Sequence, residues 1–407
     1  MRATELRRRL RDAPIPEEHE ARERGWRVVR AAYAERRPST ARASAPRRLA
    51  IALAGAAIVL AVVLTPAGAK VVDFVRDVVR PNAKEAKPLT SLPAPGSLLV
   101  ESQQGPWVFH RDGSQRLLGD YRQATWSPNG VFVAATSAHQ LTAVEPDTGT
   151  VHWSINGRHP TDPRWAPGNG YRVAYRSGSS MRVVAGDGTH DHLLDANVAP
   201  APPAWRPATN CPPTSASGPC VLALAKPDGA VRMVDADSGK VLWASAAGPV
   251  PRLLDWSAHS SLVAALSAAE LRVFSAADGS LIQTVRLPAG MEATDGAFAP
   301  AGKSFAVTGT TRHGRSKALL IPLAAARAQP RSLLTDPGAF TDVTWSPDGH
   351  WLLIAWRKAG AWLFLNPEHP GHIKTAGQIS RQFSPGTTAP AGFPRPAGWC
   401  CTQAGTG

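Results

Sequence analysis

The sequence predicts an all-β protein, a seven-bladed β-propeller with six or eight blades as the neighbouring solutions, preceded by a single transmembrane helix and a short helical cytoplasmic tail. Three observations predict it. A turn motif led by an aromatic residue recurs seven times between Trp126 and Phe383. One run of twenty-one residues at 49–69, "LAIALAGAAIVLAVVLTPAGA", carries no charge. The formal charge of +14 over 407 residues is unevenly spread, with fourteen Arg against seven acidic residues in 1–48.

Residues 1–48 come first. "TELRRRLRDA" and "PEEHEARERGWRVVRAAYAER" are helical stretches divided at Pro14 and Pro16. In the second, Trp26, Val29 and Tyr33 fall at i, i+3 and i+7 on one face, with arginines on the flanks. A basic amphipathic helix beside a membrane lies on anionic headgroups or docks a cytoplasmic partner. With half the excess charge in this tail, the basic balance does not imply nucleic acid.

Residues 49–69 follow. At a rise of about 1.5 Å per residue such a run crosses a hydrocarbon core roughly 30 Å thick. Arg36, Arg37, Arg42, Arg47 and Arg48 precede it, so the positive-inside rule leaves the N-terminus in the cytoplasm and everything after residue 70 outside. Ala67-Gly68-Ala69 has the form a signal peptidase accepts, so cleavage after Ala69 is the competing reading. The 48 residues ahead of the run far exceed an ordinary signal-peptide n-region and favour a retained anchor. In 70–95, "KVVDFVRDVVR" continues as a neck helix with Val71, Phe74, Val75 and Val78 on one face. Four prolines between Pro81 and Pro95 then make a linker.

Residues 96–407 carry the propeller and a C-terminal strap. "WSPNG" starts at Trp126, "WAPGNG" at Trp165, "WRPATN" at Trp205, "WSAHS" at Trp256, "FAPAGK" at Phe298, "WSPDG" at Trp345 and "FSPG" at Phe383. Spacings of 39, 40, 51, 42, 47 and 38 residues suit one four-stranded blade each. In the first unit the aromatic ends one strand, Pro-Asn-Gly turns, "VFVAAT" alternates as the second strand, and "QLTAVEP" and "TVHWSI" complete the blade. A blade has two apolar faces it cannot bury alone, so blades stack around an axis. "SLLVES", "PWVFH" and "SQRLLG" supply three strands of a blade whose first strand should be "GQISRQF", Gly377 to Phe383, which closes the ring. The prolines from Pro385 to Pro396 then strap the surface.

At Trp126–Gly130 and Trp345–Gly349 the chain resembles the WD-repeat-like propellers of the TolB type, and "VDADSGKVLW" at 234–243 resembles a quinoprotein repeat. The resemblance spans roughly residues 96 to 390 and implies a fold, since such propellers serve as scaffolds, binders and enzyme domains alike.

"TDPRW", "TDGAF" and "TDVTW" set Asp162, Asp295 and Asp342 three residues before the aromatic in three blades, with Thr161, Thr294 and Thr341 beside them. The repeat places these carboxylates at one height near the upper mouth of the channel, as candidate binding residues; the alternative is that Thr and Asp bond nearby amides. Cys211 and Cys220 flank "PPTSASGP" and are expected to pair outside the cytoplasm, whereas Cys400 and Cys401 are left open between a vicinal disulfide, an intermolecular bond and free thiols. His190 and His192 are too few for a metal site, and "DADSG" lacks the acid that a calcium loop needs twelve residues on. No Gly-x-Ser-x-Gly elbow is present. The expectation is a membrane-anchored extracytoplasmic binding or scaffold module of the cell envelope, without catalytic residues, metal or cofactor. Its partner is a protein or envelope ligand at the upper propeller face. The alternative is a propeller hydrolase or lyase acting on envelope glycans through channel carboxylates.

Overall fold

The computed structural model describes residues 87–168, 171–207, 220–323, 329–369, 372–386 and 392–401. The predicted tail, the membrane span 49–69, the neck helix and Cys211 lie outside the described residues.

Seven four-stranded antiparallel sheets stand around an axis, as the repeat predicts. Their inner strands are Gln123–Trp126, Pro160–Trp165, Ala204–Trp205, Leu253–Trp256, Met291–Phe298, Phe340–Trp345 and Arg395–Cys400, in blades 1 to 7. Each inner strand begins at what we term the upper face and ends in its aromatic-led turn at the lower face. Second and third strands such as Leu352–Trp356 and Ala361–Leu365 are buried at every residue, because both faces of a blade press on neighbours. Outer strands have no such cover, and Val151–Asn156 alternates between exposed and half-buried.

The core therefore lies between blades. Seven apolar clusters fill the seven interfaces, for example Leu99 and Val108 of blade 7 against Ala124, Val133 and Ala135 of blade 1. Alanines on one blade leave room for aromatics from the next, as where Ala306 and Ala318 meet Phe340, Trp345 and Trp356. Burying one large side chain of this kind is worth roughly 1.5–3 kcal/mol.

The aromatic of the repeat also ties blade to blade. Trp205 Nε1 donates to Arg164 O at 2.8 Å, Trp256 to Ala204 O at 2.9 Å, Trp345 to Ala297 O at 3.3 Å and Trp126 to Gly398 O at 3.3 Å. In all four the acceptor is the residue just before the aromatic of the preceding blade. Phe298 of blade 5 has no side-chain N–H to give; there Asp255 Oδ2 of blade 4 accepts the Phe298 backbone N–H at 2.8 Å. Two copies depart from the pattern: Trp399 Nε1 donates to Pro95 O at 3.1 Å, and among the described residues Trp165 Nε1 has no hydrogen-bond partner.

Closure differs from the sequence expectation. The strand completing blade 7 is Arg395–Cys400, paired to Ser97–Ser102, and not Gly377–Phe383. Ile379–Phe383 is a short helix, and its two buried residues, Ile379 and Phe383, stand at i and i+4 on one face. Phe383 stacks on Trp362 at 5.3 Å and meets Phe109 edge-on at 6.0 Å, so its aromatic serves the core and not a blade start. The seventh blade-start aromatic is Trp399, and the tail read as a surface strap is the closing strand.

The strap lies at the other end of the domain. Residues 87–95, expected as linker, bury Leu89, Leu92 and Ala94 in the cluster that holds Phe383. Gln382 grips this segment at both polar groups of Leu89, accepting its N–H at 3.1 Å and donating to its carbonyl at 2.9 Å. Prolines keep the segment extended while its aliphatic residues cover the wedge beside blade 7.

Candidate functional site

The inner strands carry the three aspartates singled out by the repeat, each three residues ahead of its blade aromatic. Asp162, Asp295 and Asp342 do not share one environment. Asp162 has a left-handed backbone, φ 52°, held by Gln123 of blade 1, whose Oε1 accepts the Asp162 N–H at 2.7 Å. Its carboxylate receives Arg176 Nε at 2.9 Å and Nη2 at 2.8 Å. Blade 2 thus neutralises its own aspartate.

Asp295 and Asp342 come from adjacent blades and act on each other. Asp295 Oδ2 accepts the Val343 N–H at 2.9 Å, which links blade 5 to blade 6. Burial pushes the Asp295 carboxyl up to about 7, and the neighbouring Asp342 charge pushes the same way against the Val343 and Gly296 amides and Arg395. Asp342 is 3% exposed and binds Arg395 Nε through Oδ1 at 2.6 Å. Among the described residues its Oδ2 has no hydrogen-bond partner, nor has the buried Thr341 Oγ1 beside it.

Two further acids complete the group. Glu101, at the upper end of the second strand of blade 7, accepts the Ala124 N–H at 2.9 Å, and burial raises its carboxyl against the pull of Arg395. Asp255 accepts the Trp256 and Phe298 amides at 2.8 Å each, and burial lifts it to about 6. Burial disfavours the Arg395 charge, but Asp342 and Glu101 outweigh it and hold the guanidinium ionised. Three carboxyl groups, Glu101, Asp295 and Asp342, therefore bear on Arg395, while Arg164 also acts on Glu101 and Asp255.

The sequence reading missed Glu101, Asp255 and Arg395. Arg395 stands four residues before Trp399, a position legible only once Trp399 is known to start a blade. The threonines are partly structural: Thr294 Oγ1 donates to Phe340 O at 2.8 Å across the same interface.

Elsewhere, Asp235 closes its own turn by accepting the Asp237 and Ser238 amides. His190 and His192 border a cavity of about 870 Å³ at the lower face. Of its charged lining residues, Arg172 pairs with Asp237 at 2.6 Å, Asp191 takes Arg182 at 2.7 Å and Asp187 accepts the Thr189 N–H and hydroxyl. Cys220 is buried and disulfide-bonded. Cys400 and Cys401 form a vicinal disulfide at the end of the closing strand.

No family model matches the chain, and no curated protein matches it in sequence. Many solved structures share the fold. A chain of a mitotic checkpoint complex aligns at 17% identity and a TM-score of 0.52, covering 68% of this chain and 90% of that one. A candidate 6-phosphogluconolactonase from Bacteroides uniformis aligns at 17% identity and a TM-score of 0.50, covering 70% of this chain and 96% of that one. At that identity the likeness shows the propeller fold, with WD-repeat proteins among its neighbours, and the repeated turn agrees with it.

Proposed function

We propose that this chain is a membrane-anchored, extracytoplasmic propeller that serves as a binding or scaffold module of the cell envelope and receives a cationic group of its partner at the upper channel mouth. The observation that carries this reading is the buried Asp342 Oδ2, which among the described residues lacks a donor while Asp295 and Glu101 also lean on the Arg395 guanidinium that Asp342 binds. A buried acceptor left unmade costs about 1–3 kcal/mol, which a visiting ammonium or guanidinium recovers. The likeness to a chain of a multiprotein complex is in keeping with protein binding. The glycan-cleaving alternative gains no added support, because Asp342 is already committed to Arg395.

The test is capture from intact cells with the full chain as bait. A partner retained by the wild type is expected to be lost from the Asp295→Asn, Asp342→Asn double variant while the propeller stays folded. Undiminished capture by that folded variant removes the channel mouth as the site.

Anchoring is proposed from the apolar run and its flanking arginines, and protease treatment of spheroplasts checks it. Residues 96–407 are expected to be digested while an N-terminal tag stays protected. A soluble mature protein beginning at Lys70 overturns the anchor.

A further inference from the structure

At the lower face, between blades 7 and 1, three residues from three separate elements converge on one cavity of about 530 Å³. Ser97 opens the second strand of blade 7, His110 follows the third strand, and Asp147 sits in the Asp-Thr-Gly turn of blade 1. Ser97 Oγ lies 2.9 Å from His110 Nδ1. On the opposite edge of the ring, His110 Nε2 lies 3.7 Å from Asp147 Oδ1. The Asp147 charge, in ion-pair range of Nε2 but beyond hydrogen-bond distance, favours a proton on that nitrogen electrostatically, which leaves the Nδ1 lone pair for the serine hydroxyl.

We infer that Ser97, His110 and Asp147 form an acyl-transfer site in which a nucleophilic serine, its general base and the carboxylate that orients the base act on small carboxylic esters. The site stands apart from the channel mouth, and the two readings fail or survive independently.

Each member is held by backbone. Ser97 pairs with Cys400 of the closing strand, and Gly96 before it, at φ 100°, lies so close to that strand that a Cβ there would sit 2.5 Å from Cys400 O. His110 is fixed in a tight hairpin by its N–H to Ser114 O at 2.8 Å and by the Gly113 N–H to its own carbonyl at 3.0 Å. Asp147 is 64% exposed, yet its turn is clamped by Arg116, which donates to Asp147 O at 2.7 Å and Thr148 O at 2.5 Å. The neighbouring Asp112 holds the Ser114 N–H and hydroxyl on one oxygen at 2.9 and 2.7 Å and adds a second negative charge near His110, which favours the imidazolium formed when the base takes its proton. Arg111 lines the cavity and is the cation available to the oxygen on which charge develops.

The chemistry balances without any further reactant but water. Ser97 Oγ bonds to the ester carbonyl carbon as its proton passes to His110 Nδ1, and the carbonyl electron pair moves onto oxygen. That pair returns, the bond to the alkoxy group breaks, and the Nδ1 proton leaves with it as alcohol. Water then attacks the acyl-serine, gives a proton to Nδ1, and the acid departs as Ser97 Oγ takes the proton back. Ester and water become acid and alcohol.

The experiment treats the purified full-length protein with a fluorophosphonate reporter, maps the labelled peptide by mass spectrometry, and follows p-nitrophenyl acetate hydrolysis. Labelling at Ser97 is expected, with both signals abolished in Ser97→Ala. His110→Gln is expected to slow acylation by about 100-fold or more, the usual contribution of a positioned general base. Asp147→Asn is expected to slow it by about tenfold, and all three variants should keep the wild-type melting profile. A serine that only pins the hairpin would remain unlabelled in the folded wild type. That result, or hydrolysis unchanged in Ser97→Ala, overturns the site.

Discussion

Replacing Asp295 with Asn should make the protein more stable above neutral pH while weakening its hold on a partner. The folded carboxyl sits near 7 against an ordinary 3.8, raised first by burial and then by Asp342. A raised folded value means that the native state binds the proton more tightly than the unfolded chain. The associated stability is therefore complete below about pH 4 and is lost as pH rises to about 7. Above that range the ionised group costs on the order of 2–4 kcal/mol, after discounting the full shift at about 1.4 kcal/mol per unit for relaxation around the pair. An Asn keeps a carbonyl oxygen for the Val343 N–H and carries no charge. Denaturation across pH 5 to 8 is expected to show wild-type stability falling more steeply than that of the variant, with the difference concentrated toward pH 7 and the two curves crossing. Asp255 and Asp336, each lifted to about 6 by burial, and the raised Glu101 leave the variant a residual slope of the same sign at the acid end of the range. Parallel curves for the two proteins would mean that Asp295 titrates normally.

The largest loss is expected at Arg395. Its Nε holds Asp342 at 2.6 Å, and the Asp342 side chain is 4% exposed while Arg395 is 59% exposed. The aspartate therefore cannot recover water when the guanidinium goes, and Arg395→Ala should cost about 3–5 kcal/mol, the usual result of leaving a buried charge unpaired. Adding Asp342→Asn should restore most of that loss, because the stranded charge disappears with its partner. Urea denaturation of the two single variants and the double variant gives the coupling directly. Additive effects, or a loss below about 1 kcal/mol in Arg395→Ala, would show that the pair is no strut of the closing strand.

These two residues also mark what could be read without the structure. Asp295 and Asp342 stood out because they repeat at a fixed offset from an aromatic, and an offset within a repeat survives folding as a height in the ring. Arg395 and Glu101 had no such signature. Glu101 belongs to a second strand, outside the inner-strand register, and Arg395 precedes an aromatic that carries no Pro-Gly turn after it. Asp162 shared the signature but not the environment, since Arg176 and Gln123 meet it from positions that no offset relates.

Blade number, strand order within a blade and the inter-blade position of the core were determined by the sequence alone, because period-two alternation and turn residues act over a few residues and repeat with the chain. The membrane span was likewise proposed from a local property, the length of an uncharged run. Closure was decided by tertiary structure. Phe383 and Trp399 both present an aromatic near the C-terminus, and the choice between them rests on whether Ile379 and Phe383 are worth more as a buried helical face against Trp362 and Phe109 than as a strand. The Ser97, His110 and Asp147 group was likewise invisible beforehand: the hairpin of blade 7 sets Ser97 beside His110, but Asp147 joins them only when blade 1 packs against blade 7. Interactions within a repeat unit are encoded at fixed spacing, whereas those between the two ends of the chain depend on which segment best fills the last gap in the ring.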